Sequence, residues 1–158
     1  MSGSYNLERF VQAQQAVYQQ VTEELHGGYK RSHWMWFIFP QIEGLGRSET
    51  ARYYAISSKE EAAAFLAHPV LGPRLEECTR LVLDIDGKSL DDIFGAPDDM
   101  KFRSCMTLFA SVAGADSVFR ECLRKYCGDQ PDAQTLARLK QGSGAVVASN
   151  CRCHWRKR

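Results

Sequence analysis

Each apolar run in this chain is spaced for a helix and set between a helix start and a helix stop. That grammar constrains the fold more than any single motif, because no stretch alternates apolar and polar residues as a half-buried strand would. Leu7, Phe10, Val11, Gln14, Val17, Tyr18, Val21 and Leu25 follow the i, i+3, i+4, i+7 rhythm that aligns one face of an α-helix. Asn6 stands where a cap belongs, and Gly27 and Gly28 supply the stop. Ser58 and Glu61 have capping-box spacing ahead of Ala62, Phe65 and Leu66, and that helix stops near His68 and Pro69. Leu71, Leu75, Cys78, Leu81 and Val82 form the stripe of a longer helix over residues 72–85. Ser89, Asp92 and Gly95 repeat the start and the stop. Pro97, Asp98 and Asp99 open the next helix, with the acids at the end where the helix dipole favours negative charge, and it runs to Gly114. Residues 116–127, ending at Gly128, and the segment "PDAQTLARL" complete the series.

One segment is ambiguous. "HWMWFIF", residues 33–39, has the length and aromatic content of a buried strand. Ser32 in front, Pro40 behind and the lack of a partner strand favour a short buried helix. "EGLGR" then leads into a short helical stretch from Ser48 through Tyr54. The fold class expected is all-α or nearly so: a single compact domain of about eight short helices over residues 1–140. A chain of 158 residues suits one such domain and buries enough surface to fold without staples. Residues 141–158, "QGSGAVVASNCRCHWRKR", lack periodicity and are expected to form an irregular basic tail.

Charge and cysteine usage narrow the partners. The net charge is +1, but residues 141–158 hold Arg152, Arg156, Lys157 and Arg158 and no acid, leaving 16 basic residues against 19 acidic elsewhere. A mildly acidic body argues against a broad nucleic-acid face. The longest apolar run, residues 34–39, is far short of the ~20 residues of a membrane span, and no membrane association is expected. The N-terminus "MSGSYNLERF" has neither the basic nor the apolar region of a secretory signal. Of the six cysteines, Cys78, Cys105 and Cys122 fall on apolar helical faces, where free thiols pack as small hydrophobes. Reduced thiols and a cytoplasmic location are the expectation, and the chain is expected to be a monomer.

Three clusters are candidates for chemistry. In "GLGRSE", residues 44–49, two glycines allow close backbone approach, Arg47 offers a cationic fork, and a helix starting at Ser48 presents backbone N–H groups to a phosphate or carboxylate. It lacks the Gly-Lys-Ser/Thr ending of a Walker loop, and a plainer reading makes it a glycine turn into a capped helix. Around the aromatic block, His33 is a candidate acid or base, Gln41 can orient a ligand, and Trp34 and Trp36 are candidate stacking surfaces. Asp98 is a second candidate catalytic group, with Lys101, Arg103 and Ser104 as ligand-binding candidates on the same helix; such acids more often serve the helix dipole. "CRCH" at residues 151–154 has no second ligand pair at zinc-site spacing, so no metal is expected, nor any other cofactor. Cys105 has no evident histidine partner for a nucleophilic role.

The blocks "HWMWFIFPQIEGLGRSETARYYAI", "EAAAFLAHPVLGPRL" and "IFGAPDDMKFRSCMTLF" resemble a widespread family of small domains of unknown function. Its members are often labelled calpastatin in bacterial genomes, and a mycobacterial member has a known, mostly α-helical structure. The resemblance covers about residues 5–139 and implies a compact helical domain; it implies no activity. Two functions follow from the residues. One is binding or hydrolysis of a small phosphate-bearing ligand, such as a nucleotide or an ADP-ribose-like ester, at the aromatic and Gly-Arg-Ser segment. The other is a non-catalytic protein-interaction or regulatory module, which requires an exposed apolar patch and no convergent polar groups.

Overall fold

The computed structural model describes residues 5–114 and 116–143, with side chains to Lys140. The expected tail lies outside the described residues except for its first three. Ten helices occur among the described residues: α1 Glu8–Gln15, α2 Tyr18–His26, α3 Met35–Ile38, α4 Glu49–Tyr53, α5 Lys59–Ala67, α6 Leu71–Leu83, α7 Leu90–Phe94, α8 Asp98–Ala113, α9 Val118–Cys127 and α10 Ala133–Ser143. The all-α expectation holds. The extended pairing among them is a single parallel bridge between Ile42 and Ile56. The last helix carries three residues beyond the expected boundary at 140.

The centre of the molecule is α8. Residues 104–109 are buried without a break, so this helix has no solvent face in its middle. Neighbouring helices must therefore enclose it, and α5, α7, α9 and α10 do. Phenylalanines carry the packing between layers. Phe102 meets Phe39 edge-on at 4.9 Å and stacks on Phe94 at 4.9 Å, while Phe109 lies between Phe65 and Phe119. A second layer, α6, packs on α2, α5 and α9.

The single first helix expected from the periodicity is two. The chain breaks at Ala16 and Val17. Packing explains it: α1 lies on α3, whereas α2 lies on α6, and one straight helix cannot face both. The buried Gln14 side chain fixes the break. Its Nε2 donates to the Phe37 carbonyl at 2.8 Å, and its Oε1 accepts from Arg74.

Most caps follow the sequence, but α1 does not: its N-cap is Leu7, and the expected cap Asn6 makes no capping side-chain bond. Ser89 and Asp92 form the full reciprocal capping box. Ser58 accepts from the Glu61 amide, but the Glu61 carboxylate turns away to Ser57 and Arg9, so that box is half-closed. At the α5–α6 corner, the His68 Nδ1 accepts from the Val70 and Leu71 amides, doing the work of a cap. Gly72 is required there, because a Cβ would lie 2.1 Å from the Leu66 carbonyl oxygen.

Candidate functional site

The short buried helix expected from "HWMWFIF" is α3, and Glu24 holds the loop leading into it. Its carboxylate, buried in α2, accepts from the Arg31 amide (2.8 Å), the Ser32 amide (3.1 Å), the Ser32 hydroxyl (2.6 Å), the Trp34 indole (3.0 Å) and Gln20 (3.0 Å). Burial pushes the Glu24 pKa up; the hydrogen bonds, led by Ser32 and the Arg31 amide, outweigh it and bring it to about 2. Ser32, expected to cap α3, is therefore spent on Glu24. Trp34 sits at the N-cap position of α3 with its ring in the core.

Beyond α3, Pro40 is buried and the chain pairs once with the segment after α4. The Ile56 amide donates to the Gln41 carbonyl and the Glu43 amide to the Ile56 carbonyl, both at 2.8 Å. This clasp closes residues 42–56 into a loop that carries α4. Its glycines answer to packing. Gly44 has φ +99°, and a Cβ there would collide with the Arg138 guanidinium; at Gly46 a Cβ would lie 2.5 Å from that of Ala51. Between this loop, α3 and the first turn of α8 lies a small hollow of about 10 Å³. Trp36, Gln41, Gly46, Ala51, Tyr54 and Lys101 are among its walls. Its enclosed part has room for about one water molecule.

Charge at the hollow is organised by Asp98, the first residue of α8. Its Oδ2 meets the Lys30 ammonium at 2.9 Å and its Oδ1 the Lys101 ammonium at 3.6 Å. Lys30 lies 5.2 Å from the Trp34 ring centroid and Lys101 5.6 Å from that of Trp36, within cation–π range. Burial, with Tyr53 alongside, raises the Tyr54 pKa against the opposing pull of Arg9, so its phenol stays neutral and can donate.

The structure thus brings together Gln41, Asp98 and Lys101 from the sequence candidates. Trp34 does not join them: its indole is 1% exposed and bonded to Glu24, and Trp36 supplies the ring instead. Ser48 caps α4, a single turn, by accepting from the Ala51 amide at 3.1 Å, so that amide is not open to the anion expected there. Ser104 is buried and donates to the Met100 carbonyl. Arg103 points to the other side of α8, where it donates to the Gln130 and Pro131 carbonyls. His33 and Arg47 are exposed, do not line the hollow, and form no side-chain hydrogen bond or ion pair among the described residues. A second hollow of about 560 Å³ lies between α8, α9 and α10, with Thr107, Leu123 and Leu136 on its walls and the Arg120–Asp129 pair at its edge. It holds none of the candidates. The "CRCH" run lies outside the described residues.

Three residues at the candidate site escaped the sequence reading, among them Tyr54 on the wall of the hollow. Lys30 follows a glycine turn and shows no pattern of its own. Glu24 was visible in principle, since it falls three residues after Val21 on the apolar stripe, where an acid demands partners.

A family described as "protein of unknown function (DUF1810)" matches residues 4–139. The chain belongs to this family. It is similar to the conserved hypothetical protein Rv1873 from Mycobacterium tuberculosis, known from a crystal structure, at 54% identity and a TM-score of 0.85. The match covers 86% of this chain and 97% of that one. No curated protein matches the chain. The DUF1810 match spans every residue of the hollow and of the Lys30–Asp98–Lys101 cluster, and neither match bears the calpastatin label.

Proposed function

We propose that this DUF1810 domain binds a small phosphate ester carrying a planar base, such as a nucleotide or an ADP-ribose-like molecule, at the hollow beside α3. The observation that carries the reading is the Lys101 ammonium on one wall, with the Trp36 ring, the Tyr54 ring and the Gln41 amide on the others. A cation, a neutral donor and aromatic surface in one recess are what a phosphate joined to a base requires. Arg47, one residue past Gly46 and unpaired among the described residues, lies on the loop that a ligand crossing the rim would meet. The reading is binding without turnover: Asp98 is committed to two ammonium groups and is poorly placed to take a proton. The interaction-module reading has less support. The exposed large apolar side chains among the described residues are Tyr29, Tyr53 and Met100, too few for a wide docking face.

The test is thermal melting with adenosine monophosphate, ribose 5-phosphate and, as the uncharged control, adenosine. At a hundredfold excess over Kd, a nucleotide should raise the wild-type Tm by about 5 °C. Lys101→Met should melt close to wild type without the ligand and lose the response to both phosphates. A wild-type protein whose melting is indifferent to all phosphates tried sinks the reading.

A further inference from the structure

We propose that Lys30, which does not line the hollow, is a positioning residue that sets the charge available to its ligand by occupying Asp98. This deepens the anion-site reading and rests on it. Asp98 stands between two ammonium groups but does not share itself equally: Lys30 is at 2.9 Å and Lys101 at 3.6 Å. The Lys30 side chain is only 8% exposed, against 26% for Lys101, so the closer contact is also the less screened one. Two further contacts hold Lys30 in place. Its backbone amide donates to the Ile93 carbonyl at 2.8 Å, and its ammonium lies over Trp34, whose indole is anchored on Glu24. Lys101 has the longer contact, the greater exposure and the place on the hollow wall.

The two lysines and one aspartate sum to a single positive charge, and the geometry leaves that charge on Lys101. Without Lys30, the aspartate would close on Lys101, and the cluster would be neutral where the anion is to sit. Without the Asp98 charge, neither ammonium would be offset, and the cluster would carry two positive charges beside the ligand. Glu43, Arg47 and Glu49 on the neighbouring loop are exposed and form no ion pair among the described residues, so solvent screens their share of the field.

This arrangement predicts rescue. Isothermal titration with adenosine monophosphate at low ionic strength would compare wild type, Lys30→Met, Asp98→Asn and the double variant. Lys30→Met should bind about tenfold more weakly. Asp98→Asn should bind at least as tightly as wild type. The double variant, again with one positive charge, should return to within about threefold of wild type. A structural role for Lys30 gives no such rescue, so a double variant as weak as Lys30→Met, or a Lys30→Met variant that binds like wild type, overturns the proposal. A ligand-free readout separates it from the anion-site reading. In a crystal structure of Lys30→Met, the Lys101–Asp98 distance should contract from 3.6 Å to about 2.8 Å. If Lys101 stays where it is, the proposal fails even should the wild type bind nucleotide. If the distance contracts but the wild type binds no phosphate, the anion-site reading fails and the charge arrangement stands.

Discussion

Glu24 shows how one side chain can hold a whole segment in shape. Its five hydrogen bonds come from four residues, three of them in the turn that brings the chain from α2 into α3. A carboxylate depressed to about 2 in the folded protein and ordinary when unfolded stabilises the fold fully above the unfolded value. That stability is lost as pH falls from about 4.5 toward 2. The contribution is on the order of 2–3 kcal/mol. Melting curves collected between pH 6 and pH 2 should therefore fall more steeply for wild type than for Glu24→Gln. Equal slopes would show that the buried carboxylate contributes no linkage. Glu24→Ala should cost more than the glutamine variant at neutral pH, because it orphans the buried Trp34 indole N–H as well. Trp34 also shows why residue type alone misplaced a site residue. Two tryptophans one residue apart both look like stacking surfaces, and only the turn of the helix decides that Trp34 faces Glu24 and Trp36 the hollow.

At the scale of elements, starts and stops are local and were legible. Ser48, Ser58, Ser89 and Ser117 each accept from a backbone amide three residues on, as their helices require. Gly95 and Gly128 take the positive φ that ends α7 and α9. What was not legible was where elements touch. The break between α1 and α2 serves two different partners and leaves no mark in the periodicity. Gly72 opens the helix expected over residues 72–85, but its tolerance depends on Leu66, in the preceding helix. Gly72→Ala should destabilise the domain by about 2 kcal/mol or more, since backbone cannot yield as a flexible side chain can. Chemical denaturation measures it, and a change below about 0.5 kcal/mol would contradict the close packing of α5 on α6. At Gly46 the added Cβ would meet the Ala51 Cβ at 2.5 Å, an atom fixed to the α4 backbone, so Gly46→Ala should also destabilise unless the exposed loop shifts.

At the scale of the whole molecule, α8 is the axis around which the other layers close. Cys105 on α8, Cys78 on α6 and Cys122 on α9 are buried free thiols. Burial pushes Cys78 and Cys122 up to about 12 and raises Cys105 as well, so none is a nucleophile in the folded state. Alkylation mapped to these three positions should track global unfolding followed by circular dichroism. Labelling of any of them well below the unfolding midpoint would mean that the layers open separately. The sequence by itself determined the helical class, most helix boundaries, the buried thiols and the family, because each is written in spacing along the chain or in a contiguous block of residues. Tertiary structure alone decided which candidates meet. Lys30, Trp36, Tyr54, Asp98 and Lys101 come from four stretches of chain, the last two sharing the first turn of α8, and periodicity says which face of a helix is buried, not what stands opposite it. Arg103, two residues past Lys101, is carried to the opposite side of α8 by the 3.6-residue turn and meets the Gln130 and Pro131 carbonyls, whereas Ser104 stays near the Lys101 side but is buried and bonded to the Met100 carbonyl.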